Sequence, residues 1–444
     1  MTPQGPAIFT IPIEFILFGL TLFGIAVFHH HTLRVALVGL VTIVFYKILF
    51  TGFKAGPGVM GFFSHAKHEW AILINLLCLL LGFAVLASHF DKSQVPLVLP
   101  KYLPRNWKGG FALLGVVWVL SSFLDNIAGA LIGGALAHQL FRAKVHIGYI
   151  AAIAAASNAG GAWSVLGDTT TTMLWIAGVS PAQVFHAVIA AAVSLFVFGI
   201  PAAIQQHRYS PILPYGGGHV RIDWTRIAIV ALILSFAVAA NVVTNLKFPE
   251  YADSFPFIGV AVWVAILVST LLRAPDWKGL LPALRGSIFL LSLVLIASMM
   301  PVETLPIPSW KTSLGLGFVS AVFDNIPLTT LAIKQGGYDW GLLAYAVGFG
   351  GSMIWFGSSS GVALCSMYRE AKSVTKWLRH GWYIGVAYVV GFYVMLAVFG
   401  WRPAMPHRRA NPLQVSQPSP GVRSLPCWLH AERCGLLTQS GRLR

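Results

Sequence analysis

Ser122-Phe123-Leu124-Asp125-Asn126-Ile127 is a polar interruption in an apolar stretch, and the chain carries it twice. The second copy is Ala321-Val322-Phe323-Asp324-Asn325-Ile326. Downstream of the first come Gly160-Gly161 and then Gly167-Asp168; downstream of the second come Gly350-Gly351 and then Gly357-Ser358. The gap between the glycine pair and the next glycine is the same in both. Hydroxyl residues follow each time, Thr169 to Thr172 in one copy and Ser358 to Ser360 in the other. Two related polar breaks inside hydrophobic segments point to an internally duplicated transporter.

The surroundings of these motifs support that view. The chain has 444 residues, of which 57% are hydrophobic and 10% charged, with a mean hydropathy of +0.74. A soluble chain of this length needs far more surface charge. Many apolar runs reach the ~20 residues that cross a bilayer as a helix. The expected class is therefore an all-α polytopic membrane protein. No signal peptide is evident, because Met1 to Ile11 carries no Lys or Arg. The formal charge of +16 does not imply nucleic acid as a partner, since Lys and Arg gather in loops as the positive-inside bias requires. The cysteines at Cys78, Cys365, Cys427 and Cys434 form no metal-like pair.

Taken in order, apolar spans fall at 11–28, 33–53 and 70–90. The loop 91–108 carries Lys92, Lys101, Arg105 and Lys108 against one acid and is expected on the cytoplasmic side. Segment 110–141 is broken by Asp125-Asn126 and followed by Arg142 and Lys144. Positive clusters on both flanks favour a re-entrant hairpin over a single kinked span, with Asp-Asn at its tip. A non-helical tip at membrane depth is tolerated only inside protein or beside a wet cavity. Segment 146–176, interrupted between Asn158 and Asp168, is expected to be a broken helix. A span at 179–204 returns the chain inside. The connector 205–226 holds Pro211, Pro214 and the glycines Gly216 to Gly218. Spans at 227–245 and 257–272 follow, then a basic loop marked by Arg273, Lys278 and Arg285, then a shorter span at 287–300. A second hairpin at 313–334, a second broken helix at 342–365 and a last span at 381–400 complete the pattern.

These segments divide into N-terminal spans 1–69, a first half 70–204, the connector, a second half 227–400 and a tail 401–444 expected to be disordered and dispensable. The expected architecture is about ten transmembrane helices plus two re-entrant hairpins in an inverted repeat with two broken helices. Loop charge puts both termini outside, with the first hairpin opening from the cytoplasm and the second from the opposite face.

At Asp125-Asn126-Ile127, Asn158-Ala-Gly-Gly-Ala-Trp163 and Gly167-Asp-Thr-Thr-Thr-Thr172 the chain resembles the NhaD-type sodium/proton antiporters. They sit in a wider ion-transporter superfamily with ArsB-type arsenite carriers and citrate or dicarboxylate carriers. Asp324-Asn-Ile-Pro327, Gly350-Gly-Ser352 and Gly357-Ser-Ser-Ser-Gly361 match the same family. The likeness covers roughly 70–400. It implies a scaffold part and a moving transport part, a homodimer, and each hairpin tip meeting the break in its own broken helix.

The residues themselves say what such a site can do. A carboxylate at membrane depth costs at least ~2.5–3.5 kcal/mol, so Asp125 and Asp324 need a reason. One reason is cation binding: taking a carboxylate out of water favours its protonated form, and a nearby cation favours its ionised form, so one site can hold a proton or a sodium ion. The plainer reason is that Asp and Asn cap the turn at a hairpin tip. Asn126 and Asn325 add neutral oxygens of the kind hard cations prefer, or are turn residues. Asn158, Gly160 and Gly161, with Gly350, Gly351 and Ser352, should unwind the two broken helices and free carbonyls at a partly negative helix end; close helix packing is the plainer account. Asp168 is either a third site carboxylate or the cap of the helix after the break, with Thr169 beside it. Ser358 holds the equivalent place, so the halves differ by one potential charge. Lys47 and Glu14 are expected to snorkel to the interface. His29 to His31 are expected in an interfacial turn, and His138 in packing rather than a proton relay.

Three acids and no Lys or Arg at either tip favour a cation as cargo. The expected function is exchange of sodium or lithium for protons, with Asp125, Asp168 and Asp324 as sodium ligands and no cofactor. The alternatives are a citrate, dicarboxylate or metal–citrate carrier and an arsenite exporter. No P-loop, catalytic triad or dinucleotide motif argues for an enzyme. The expected surroundings are a cell inner (plasma) membrane, multi-pass, with the lipid bilayer and small inorganic cations as partners.

Overall fold

The computed structural model describes residues 7–8, 11–28, 31–54, 56–98, 103–212, 221–248, 251 and 254–406. After a minimal antiparallel pair, β1 (Ala7–Ile8) with β2 (Ile11–Pro12), everything regular is helical. Buried or lipid-facing backbone has no water to bond, so helices satisfy it internally. The N-terminal helices are α1 (Ile13–Val27), α2 (Thr32–Tyr46, continued by a π turn at Lys47–Thr51) and the 35-residue α3 (Gly58–Lys92), with a short α4 (Val95–Val98). Then come α5 (Trp107–Ser121) and α6 (Asn126–Leu140), α7 (Ile147–Gly161) and α8 (Thr169–Ile176), and α9 (Pro181–Phe185) with α10 (Ala187–Tyr209). The remainder is α11 (Trp224–Lys247), α12 (Phe257–Ser269), α13 (Leu280–Ser298), α14 (Trp310–Ser320), α15 (Asn325–Gln335), α16 (Trp340–Gly350), α17 (Ser359–Met367) and α18 (Val374–Phe399).

Among the described residues, six helical segments are long and apolar enough to cross a bilayer: 32–51, 58–92, 181–209, 224–244, 277–298 and 374–399. Shorter apolar helices lie at 13–25, 107–121 and 257–269. The described residues form a mostly helical, polytopic integral membrane protein. α10 runs on to Tyr209, past the expected end at 204, and three spans start well before the sequence expectation. The third begins at Gly58 rather than at 70, the segment expected at 287–300 begins at Leu280, and the last begins at Val374, with a kink at Gly381 (φ −114°, ψ 18°). In each case a helix end carries charge, which lowers local hydropathy while leaving the helix intact. Arg285 therefore lies on α13 and not in a loop.

The expected interruptions are present, but Asn158, Gly160, Gly161 and Gly350 do not unwind the helices: they remain helical, packed too closely for a side chain at the glycines, and the breaks begin after them. Residues 122–125 separate α5 from α6, and 321–324 separate α14 from α15. Residues 162–168 separate α7 from α8; a 3-10 turn (Gly351–Met353) and a non-helical stretch separate α16 from α17. The two N-terminal broken arms form the centre of the molecule. α7 is buried from Gly148 to Gly161, including the run Ala151 to Ala156, and α16 is buried along its whole length. Small side chains let α5, α10 and α18 pack close on α7, and α14, α10 and α18 on α16.

The glycine pairs explain how the arms approach. A Cβ added to Gly160 would stand 2.0 Å from the Trp118 carbonyl oxygen, and one added to Gly350 would stand 2.2 Å from the Gly317 oxygen. A Cβ at Gly161 would meet the Gly167 oxygen at 2.5 Å, and one at Gly351 the Gly357 oxygen at 2.6 Å. The same backbone contact is made at the same motif position in each half.

The first two helices pack as a group onto α13, with Phe18, Leu22, Ala36 and Ile43 against Leu293, Ile296 and Ala297. That packing overturns the snorkelling expected for Glu14 and Lys47. Both are buried and face each other, Nζ to Oε1, at 3.9 Å. Their helix faces point into protein, where a charge needs a partner. The C-terminal tail also departs from expectation at its start. Residues 401–406 are ordered against the turn before α16, through Arg402 N–H to Asp339 Oδ2 (3.0 Å) and Ala404 N–H to the Tyr338 oxygen (2.9 Å). The rest of the tail, the connector glycines Gly216 to Gly218, and His29 and His30 lie outside the described residues.

Because the two contacts are equivalent, Gly160→Ala and Gly350→Ala should each lower stability by about 1–3 kcal/mol, the usual cost of overpacking. Gly115→Ala, with nothing within 4 Å of its added Cβ, should be neutral or mildly stabilising. Thermal unfolding of the three purified variants in detergent checks this.

Candidate ion site

The two tips have the same backbone. Asp125 begins α6 with φ −51°, ψ 145°, and Asp324 begins α15 with φ −52°, ψ 142°. The starts of α8 and α17 match as well: Asp168 has φ −147°, ψ 148° and Ser358 has φ −141°, ψ 152°. Two like scaffolds thus carry different side chains.

Asp168 sits at their meeting point. Its carboxylate makes no capping bond to α8. Oδ1 accepts from the Asn126 amide at 3.0 Å, and Oδ2 accepts from the Asn325 amide at 3.1 Å and from the Thr170 hydroxyl. Asn158, fully buried on α7, is the second hub. Its oxygen accepts from the Asn126 amide (3.1 Å) and from the Ser360 hydroxyl (2.7 Å), and its amide donates to Ser352 Oγ (2.9 Å). Both hubs therefore join residues of the two halves.

One expectation is met and extended. Each tip meets the break in its own broken helix: a Cβ added to Gly167 would stand 2.3 Å from the Ser121 oxygen, and one added to Gly357 would stand 2.4 Å from the Ala321 oxygen. In the second half the Ser359 hydroxyl also donates to Asp324 Oδ2 at 3.4 Å, while Asn325 reaches across to Asp168 in the first half. The cause is the packing, in which α8 lies against α15 and α17 against α6. Crossed helices bring both breaks to one centre in place of two separate pockets.

The remaining acids divide. Asp324 caps α15, accepting from Ile326 N–H at 3.0 Å, as the plainer reading expected. Asp125 lines a cavity of about 10 Å³ together with Thr169, Thr172 and the α3 residues Leu76, Leu79, Leu80 and Phe83. That is room for about one water-sized occupant. The four threonines have separate tasks. Thr169 faces this cavity, Thr170 holds Asp168, and Thr171 and Thr172 close the broken turn by donating to the Ser164 (2.7 Å) and Val165 (2.9 Å) oxygens. In the second half Ser358 caps α17 through Gly361 N–H, and Ser352, on the 3-10 turn after Gly350 and Gly351, gives its carbonyl to Trp377 Nε1.

Thr170 and Ser360 show what the sequence alone hides. Thr170 and Ser360 stand two places after Asp168 and Ser358, so their equivalence is visible; the crossing that sends Ser360 to Asn158 is not. Among the described residues no group of three or more His, Cys, Asp or Glu side chains could hold a metal ion. Any cation here would be taken by mixed carboxylate, amide and hydroxyl oxygens. His138 is exposed, with its ring against Tyr368 (6.2 Å between centroids), which fits packing better than a relay.

No protein-family model matches the chain. Curated relatives do. Sodium/proton antiporter 1 of Arabidopsis thaliana is 28% identical over 343 residues, covering 68% of this chain and 58% of the relative. Sodium/proton antiporter 2 of the same plant is 27% identical over 362 residues, covering 68% and 80%. The Na(+)/H(+) antiporter NhaD of Halomonas elongata is 25% identical over 382 residues, covering 72% and 75%. The chain is similar to the NhaD-type sodium/proton antiporters. It spans a little over half the length of the first plant relative. The resemblance at the Asp-Asn and Gly-Gly motifs thus extends to most of the chain.

The Asn158 hub predicts an asymmetry between two substitutions. Asn158→Ala strands buried donors and acceptors on Asn126, Ser352 and Ser360, and should cost about 2–3 kcal/mol. Ser352→Ala removes one bond and should cost about 1 kcal/mol. Denaturation midpoints of the two variants against the parent chain measure the difference.

Proposed function

We propose that the protein exchanges sodium or lithium for protons by alternating access. The observation that carries this is the surroundings of Asp168: a buried carboxylate whose bonding partners are neutral amide and hydroxyl groups from both halves. Such a group is costly as a bare charge and must be neutralised by a proton or by a cation. If one excludes the other, each ion's arrival drives the other's release, which is the elementary requirement of exchange.

The antiporter names of the similar proteins agree with this chemistry. So does the sign of the site. Asp125, Asp168 and Asp324 would repel a bare anion, which weighs against a citrate or dicarboxylate carrier, and nothing at the centre offers the thiol-like softness or basic clamp that other cargo in the superfamily would favour. Thr169, Ser352 and Ser358 would supply neutral oxygens around the cation, and Asn126, Asn158 and Asn325 would do so by turning their amides out of the hydrogen bonds they make here. The helix ends at Gly161 and Gly350, which open onto the breaks that follow them, would add carbonyl dipoles.

The architecture proposed with this function is an inverted repeat of about ten spans and two re-entrant hairpins, 70–204 and 227–400, flanking a connector. Matched tip and break geometry in the two halves supports it. The moving part would contain the hairpins and broken helices, and the protein would act as a homodimer in a cell inner membrane.

Everted vesicles with a pH-sensitive dye test the function. Sodium or lithium should discharge an imposed proton gradient, and citrate should not be taken up. Asp168→Asn and Asp125→Asn should reduce exchange to background while folded protein persists. Asp324→Asn keeps a side-chain oxygen for the Ile326 cap and so tests the charge alone; it too should lose exchange. Citrate uptake without cation-driven proton movement overturns the proposal.

A further inference from the structure

A second set of buried ionisable groups lies away from this centre. Glu69 on α3 forms an ion pair with Lys334 near the end of α15, and the side chains are 5% and 16% exposed. The other end of α15 is the tip, where Asn325 donates to Asp168. Lys334 and Asn325 are nine residues apart on one helix, about 13 Å along its axis. A short helix transmits position as a rod, so whatever holds Lys334 sets where Asn325 can be.

Glu69 is itself well braced. One turn before it, His65 Nε2 bonds Ser298 Oγ on α13 at 2.9 Å. α13 in turn packs against α2, α3 and α15, and Leu331, one turn before Lys334, joins the apolar cluster that α13 forms with the first two helices. Further along α3, Leu76, Leu79, Leu80 and Phe83 wall the cavity beside Asp125. One helix therefore touches the surroundings of the first tip and grips the far end of the second.

We propose that Glu69 and Lys334 are the positioning pair of the second tip: their ion pair fixes α15 against α3 so that Asn325 meets Asp168. A buried ion pair is a weak way to gain stability compared with apolar packing. It is a specific way to select one register, because a slipped helix leaves two unpaired charges in place of one altered contact. The pair thus discriminates between positions of α15 where the leucines around it would not. The transport consequence rests on the exchange function proposed above; the positional one does not.

The test uses the full chain with Glu69→Gln, Lys334→Gln and the swapped E69K/K334E. Hydrogen–deuterium exchange of the purified proteins should show faster uptake across 321–335 in each single variant and a return towards the parent in the swap. Uptake across 122–126 should stay unchanged. In proteoliposomes each single variant should raise the apparent KM for sodium at least about tenfold with a smaller change in maximal rate, and the swap should return it to within about threefold. Wild-type uptake and KM in the singles, or loosening of both tips alike, overturns the proposal. If the swap fails to fold, Lys334→Arg replaces it and must keep parental uptake at 321–335; behaviour equal to Lys334→Gln overturns the pairing. A parent chain that moves no sodium refutes exchange and leaves uptake at 321–335 to decide the pair.

Discussion

A carboxylate without water must be neutralised by something else. Asp168 is in that position, and the structure answers with amide and hydroxyl donors drawn from both halves of the chain. Neutral donors spread the charge without cancelling it, as a Lys or Arg would. A carboxylate in such surroundings still needs a proton or a cation to neutralise it, which is the basis of the proposed exchange.

Bringing them together needs close backbone approach. Two hairpin tips and two helix breaks can share one centre only if α7 and α16 come within contact distance of α5 and α14, and the carbonyl oxygens of Trp118 and Gly317 occupy the space a side chain would need. Glycine at Gly160 and Gly350 is thus a packing requirement before it is an electrostatic one. The backbone duplicates in both halves while the chemistry does not. Asp168 and Ser358 have the same conformation, yet one carries a carboxylate and the other a hydroxyl. Matched backbone with unlike side chains at Asp168 and Ser358 makes the two halves chemically unequal.

Much of this was legible in the chain, and the limits have physical causes. Asp125-Asn126 and Asp324-Asn325 stand out because lipid makes polar interruptions costly, so hydropathy alone exposes them. The breaks after Gly161 and Gly351 are readable because the motif recurs with equal spacing. What spacing cannot encode is which half a side chain will face, so the reach of Asn325 to Asp168 and of Ser360 to Asn158 emerged only from the crossed packing of α8 on α15 and α17 on α6. Glu69 was hidden for another reason. A polar cluster at His65 to Glu69 makes the start of α3 look like a loop, although the partners of those groups, Ser298 and Lys334, lie far off in sequence. The pairing of Glu14 with Lys47 was missed in the same way.

The central claim is that a proton and a sodium ion compete for one neutral-donor carboxylate centre. The direct measurement is proton release from the purified chain in weak buffer as sodium is added, followed with a pH dye and no membrane present. The account predicts saturable acidification by sodium and lithium that vanishes in folded Asp168→Asn protein. Acidification that persists undiminished in that variant, or its absence from the folded parent chain, would contradict it.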